Sequence, residues 1–152
     1  MGVSTEEGKR QEARGKREKR RAGTTNVDRA AMSRITSYLD LIAWQLGMKL
    51  AKSLYELSRP MPKEELLGLT SQMRRAAVSV PSNIAEGYGR GTTKDYLKHL
   101  RISRGSLAEL STQFELAIEL GILSRNQAFW MLLDETDRVL QGLIRSLAPK
   151  RP

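Results

Sequence analysis

An all-α, up-and-down antiparallel four-helix bundle with a disordered basic N-terminal tail is the fold class this sequence predicts, on three observations. Four stretches between residues 35 and 148 place apolar residues at steps of three and four, the repeat that lines one side of an α-helix. Short connections separate them and hold helix-ending residues: Arg59-Pro60 and Pro62, the glycines at 87, 89 and 91, and Gly121. The chain is 152 residues long with 39% hydrophobic content, enough for one compact core and too little for two. Helices joined by such short connections alternate in direction.

Charge sets the tail apart. Residues 1–34 hold ten Lys/Arg against five acids, hence +5, which leaves +4 for the rest of the formal total of +9. Dense charge, glycines at 2, 8, 15 and 23 and no apolar repeat make a core impossible there, so 1–34 is read as a disordered basic tail. The bundle domain is read over 35–148 and a C-terminal tail over 149–152. Lys16, Arg17, Lys19, Arg20 and Arg21 form the densest cluster and are the first candidates for nucleic-acid contact. A solvated non-specific tail, or an extension upstream of a start at Met32, suits the same composition.

The first helix is expected from Ile35 or Ser37, with Ser37 as N-cap, to Ser58 before Arg59-Pro60. Leu39, Ile42, Leu46, Leu50, Leu54 and Leu57 form an expected core stripe. Leu41, Trp44, Met48, Ala51 and Tyr55 form a second one opposite, which asks for another partner. The simplest is a second copy of the chain, so Leu41, Trp44, Met48 and Tyr55 are candidate oligomer-interface residues.

The second helix is expected from Glu64 or Thr70 to Glu86, with Met73, Ala77, Val80 and Ile84 inward and Arg75, Ser79, Ser82, Glu86 and Arg90 on a polar stripe. Pro81 lies inside it and predicts a kink or opening near Ala77, with Ser79, Ser82 and Asn83 available to satisfy freed backbone groups. Gly87 and Gly89 are expected to supply the left-handed C-cap. Arg74 and Arg75 suit bidentate phosphate contact or pairing with acids on a neighbouring helix.

The third helix starts after Thr92 or Thr93, with Asp95 in its first turn, and repeats Leu100, Leu107 and Phe114 every seven residues. Gly105, Ser106 and Ala108 are small, which predicts close approach of the Ser79–Ala85 face. On that placement Arg101 and Arg104 meet Glu86, and Glu109 meets Arg75. His99, the only histidine, is read as a surface residue. Gly121 ends this helix, and Ser124 is the expected cap of a fourth running to Leu147. Its core stripe is Phe129, Leu133, Thr136, Leu140, Leu143 and Leu147, beside an acidic patch of Asp134, Glu135 and Asp137.

Three motifs recur in a recognisable order: Asp40-Leu41-Ile42-Ala43-Trp44-Gln45, then Arg74 to Arg90 with its Pro81-Ser82-Asn83-Ile84-Ala85-Glu86-Gly87 centre, then Gly105-Ser106-Leu107-Ala108-Glu109-Leu110. Together, over residues 37–147, they resemble the four helix bundle protein family, also called the ribosomal-RNA intervening-sequence protein family. The resemblance implies the bundle fold and singles out Ser82, Asn83, Glu86, Ser106 and Glu109 as the family's polar set, either a contact site or a structural hydrogen-bond set. It also implies a homo-oligomer, with a pentamer favoured, and RNA as partner. A looser similarity to bundle accessory proteins of diversity-generating retroelements points the same way.

No enzyme is expected, because no convergent catalytic set is visible. The absence of cysteine excludes disulfides, zinc-thiolate and iron–sulfur sites and thiol catalysis. No metal site, cofactor or small-molecule substrate is expected, and no apolar run approaches membrane-spanning length. A cytoplasmic protein is expected, whose basic surface binds nucleic acid, RNA above DNA, through the tail cluster and Arg74, Arg75, Arg90, Arg101 and Arg104. The alternative is a protein–protein scaffold or accessory subunit with no direct nucleic-acid role.

Overall fold

In the computed structural model the described residues are 34–150; the basic cluster Lys16 to Arg21 and the rest of the expected tail before Arg34 lie outside them. Ser37 does act as a cap, accepting from the Leu39 amide at 3.2 Å while its own amide donates to the Asp40 carboxylate at 3.1 Å. What it caps is a single 3-10 turn, Tyr38–Asp40. Leu41 then turns to an extended conformation, φ −74° and ψ 122°, and the first α-helix, α1, runs Ile42–Ser58.

That break takes Leu39 and Leu41 out of phase with α1, and within α1 the buried line is itself rotated from the expected core stripe. Leu39 and Ile42, expected in the core, are 50% and 63% exposed, whereas Leu41, expected on the outward stripe, is 5% exposed. The buried line of α1 is Ala43, Gly47, Leu50, Ala51, Leu54 and Ser58, which draws on both expected stripes.

The second helix, α2, runs Leu69–Gly89 without interruption through Pro81. The proline lacks the N–H that would reach the Ala77 carbonyl. Neighbouring side chains bond other carbonyls instead: Ser82 Oγ donates to Val78 at 2.7 Å and Asn83 Nδ2 to Ser79 at 2.9 Å. Pro81 is buried against α1 at Gly47, where an added Cβ would lie 3.3 Å from the Pro81 Cβ and 3.3 Å from Val80 Cγ1. Gly47 therefore sets how close α1 and α2 come.

The left-handed residue after α2 is Gly91, φ +79°, rather than Gly87 or Gly89, both still helical. Thr92 caps the third helix, α3, Thr93–Glu119, by accepting from the Asp95 amide at 3.1 Å. Gly121 at φ +70° closes α3, with the Gly121 amide donating to Ile118 and the Ile122 amide to Ala117. The fourth helix, α4, Gln127–Leu147, is capped by Asn126 and not by Ser124, because the Asn126 side chain reaches the Phe129 amide at 2.9 Å.

Each helix packs on its chain neighbours, and α4 returns to α1, so the four close a ring around one core. Leu50 and Leu54 meet Met73, Ile84, Leu100, Leu107, Leu110, Phe114, Phe129 and Leu140 there, each 2% exposed or less. The Phe114 and Phe129 rings lie 4.4 Å apart between centroids, with Trp130 edge-on to Phe114 at 5.6 Å. Burial of each such side chain contributes about 1.5–3 kcal/mol.

Gly47→Leu tests the α1–α2 crossing. Leucine favours helix, so propensity should improve, yet the overpacked crossing should lower stability by about 1–3 kcal/mol in urea denaturation.

A polar seam and an open groove on the third helix

The two sides of α3 differ. Toward α2 it makes a tight polar seam; toward α4 it leaves a groove.

On the seam side, an added Cβ at Gly87 would sit 2.7 Å from the His99 Cβ and 3.1 Å from Tyr96 Cδ2, so only glycine fits without movement. Ser103, fully buried, donates to the Val80 carbonyl at 2.9 Å. Ser79 and Ser106 share a hydroxyl contact of 2.8 Å. The Ser106 hydroxyl also reaches the Ile102 carbonyl at 3.2 Å, so either serine can be the donor between them. Ser79 in turn accepts from Asn83 Nδ2 at 3.0 Å.

The Asn83 amide is thus oriented with its oxygen toward His99, whose Nδ1 lies 3.1 Å from it. An acceptor there requires the proton on Nδ1. The other ring nitrogen lies 3.8 Å from the Glu86 carboxylate, which also binds Arg90. That hydrogen bond from Arg90, helped by the charges of His99 and Arg90, holds the Glu86 carboxyl below its usual range. Nearby, burial and the neighbouring Tyr88 push the Tyr96 hydroxyl up to about 12, and this hydroxyl has no hydrogen-bond partner. Farther along, Gln113 Nε2 donates to Glu109 at 3.1 Å and lies 3.5 Å from Gln72 Oε1.

Of the family's polar set, Asn83 and Ser106 are joined through Ser79, and Glu86 abuts them through His99. Glu109 bonds Gln113 rather than Arg75, and Ser82 is exposed and bonded to its own helix. Periodicity did not single out His99 and Gln113. His99 has only 12% of its side-chain surface exposed, which corrects its reading as a surface residue. The signal was present: His99, Ser103 and Ser106 recur at steps of four and three opposite Ser79.

The arginines separate by what already holds them. Arg74 donates through Nε to Ser58 at 2.9 Å and stacks 4.7 Å over the Tyr55 ring. Arg104 pairs with Asp137 at 3.0 Å, and both Arg104 and Arg101 line the α4 side of α3, away from the Glu86 they were expected to meet. Arg75 and Arg101 are exposed, with no ion-pair partner among the described residues. Of the candidate interface residues, Leu41 is in the core and Trp44 is half-buried against it, edge-on to Tyr38 at 5.4 Å. Met48 and Tyr55 remain 46% and 44% exposed.

On its other side α3 borders a groove of about 670 Å³ whose walls include Leu107, Trp130, Leu133 and Ile144. Among the described residues there is no cluster of three or more His, Asp or Glu that could hold a metal ion, and no helix long and apolar enough to cross a membrane.

The class defined by these features is an antiparallel four-helix bundle whose middle helices are joined by a hydroxyl–amide–imidazole seam. The sequence profile of the 23S rRNA-intervening sequence protein family matches residues 39–145, and the chain belongs to that family. No individual curated protein matches it.

Ser103→Ala should cost about 0.5–1.5 kcal/mol by removing a buried hydrogen bond, read as a lower urea midpoint. The tyrosine gives a pH signature. Its raised value means a stabilising contribution fully present below pH 10 and lost as pH rises toward about 12. Tyr96→Phe should keep the neutral-pH stability and make the alkaline decline of the thermal midpoint shallower. The Glu86 contribution has the opposite sense, present above the usual carboxylate range and lost as pH falls below it, so Glu86→Gln should flatten the acid limb.

Proposed function

We propose that this protein is a small, non-enzymatic, homo-oligomeric bundle that binds RNA through its basic surface in the cytoplasm. The observation that carries the reading is membership of a family named for 23S rRNA intervening sequences. The formal charge of +9 supports it, since such an excess attracts phosphate backbones whatever the fold.

Arg75 and Arg101, exposed and without an ion-pair partner among the described residues, are the bundle's foremost phosphate contacts. Arg90 and Arg104 spend part of their charge on Glu86 and Asp137. Arg74, held by Ser58 and Tyr55, acts structurally. The tail cluster Lys16, Arg17, Lys19, Arg20 and Arg21 adds non-specific affinity. Polar groups of the seam bond one another, which supports a structural role over a catalytic one.

Self-association is drawn from the apolar surface left on α1, where Ile42, Met48 and Tyr55 are 63%, 46% and 44% exposed. A pentamer rests on the family resemblance alone. A protein-interaction scaffold is the second reading, favoured by Leu67, which is 94% exposed in the connection before α2.

Filter binding of RNA and DNA at two salt concentrations tests the main reading, using the full chain and a form with all five tail-cluster residues changed to serine. RNA binding should weaken with salt and persist, reduced, in the serine form. Absence of binding by both at low salt would refute it. Met48→Glu should lower the mass seen by light scattering; an unchanged mass removes α1 from the interface.

A further inference from the structure

Gly105 lies in the middle of α3, exposed and with an ordinary negative φ. A Cβ built there would meet no atom within 4 Å. Glycine at such a position weakens a helix. Within the subunit it gains nothing in return, because the close approach of α2 is made by Ser103, Ser106 and His99 on the opposite side of α3. What the missing side chain does is leave the floor of the α3–α4 groove open, together with Ala108.

The groove's chemistry says what the space suits. Its volume of about 670 Å³ falls within the range of small-ligand sites, roughly 300–1,000 Å³. Trp130 supplies an aromatic wall, and Leu107, Leu133 and Ile144 an apolar one. Arg104 and Asp137 neutralise each other across it at 3.0 Å. Arg101 and Asp134 also line it, and neither has an ion-pair or hydrogen-bond partner among the described residues. One free cation and one free carboxylate beside an aromatic surface match an unpaired nucleotide: the guanidinium complements the phosphate, the ring the base face, and the carboxylate a base amino group.

We propose that the α3–α4 groove is a base-binding site for one unpaired nucleotide of single-stranded RNA, selective for bases that carry an exocyclic amino group. Arg101 holds the phosphate and Asp134 accepts from the amino group. Uracil offers one imino donor between two carbonyl oxygens, which face the carboxylate as like partial charges, so uracil is disfavoured. This rests on the RNA-binding reading and names the part of the bundle that reads the strand.

Fluorescence anisotropy with labelled oligo(C) and oligo(U) of equal length tests it on the full chain. Wild type should bind oligo(C) several-fold more tightly. Gly105→Leu, whose Cβ meets no atom within 4 Å and whose branch extends into the groove, should lose about tenfold for oligo(C) while circular dichroism and thermal midpoint stay equal or rise. Asp134→Asn should bring the two oligomers within twofold, and Arg101→Gln should weaken both and reduce the salt slope by about 0.7. Wild-type oligo(C) affinity in Gly105→Leu overturns the groove while leaving RNA binding intact. So does a changed light-scattering mass in Gly105→Leu with RNA affinity unaltered, which would give the groove to a second copy of the chain. Absence of binding to either oligomer by wild type overturns the RNA reading and the groove with it.

Discussion

At Gly87 and at Gly47 the backbone of a helix comes within one methyl group of its neighbour, and the rest of the bundle is arranged around those two approaches. The first brings α2 to the flank of α3 at His99 and Tyr96; the second brings α1 onto Pro81 of α2. Close approach lets short side chains span the gap. Ser79 and Ser106, or Ser103 and the Val80 carbonyl, meet directly only because no longer residue holds the helices apart. The Ser79 carbonyl can only accept, so it turns the Asn83 amide with Nδ2 toward itself and Oδ1 toward His99, which requires the proton on His99 Nδ1.

The same geometry makes α3 two-sided. Its α2 side is filled, and the hydroxyls and amides of Ser79, Asn83, Ser103 and Ser106 are matched there, although the Tyr96 hydroxyl is not. Its α4 side carries two arginines and, across the groove, two aspartates, and matches only one of each. Satisfied polar groups lend rigidity and specify one arrangement, whereas unmatched charges at an open surface are free for solvent or a partner. That contrast separates the seam, a structural feature, from the groove, a candidate contact surface. The arginines follow the same logic: neighbours already holding a guanidinium decide whether it can serve a phosphate.

Much of the architecture was legible in the residues. Helix number, antiparallel order, the α4 stripe through Phe129, Leu133, Thr136 and Leu140, and the facing of Ser106 toward Ser79 all follow from repeat and residue size. The α1 stripe was misread because periodicity assumes one continuous helix. Leu41 breaks it after a 3-10 turn, which accounts for Leu39 and Leu41; inside α1, Ile42 is exposed and Gly47 buried because the helix turns its small residues toward Pro81 and Val80. The cap of α4 was placed two residues early, at Ser124, since both Ser124 and Asn126 have the chemistry and only Asn126 has the geometry.

Local chemistry, then, settled which segments coil and which of their sides are greasy, since both depend on spacing along one chain. Partners across helices were another matter. Arg104 chose Asp137 over Glu86, His99 was drawn into the seam, and Gly105 was left facing open space, because each outcome depends on rotation and distance between helices. Those are properties of packing, settled by where small residues allow two backbones to meet, and no periodicity within a single helix contains them.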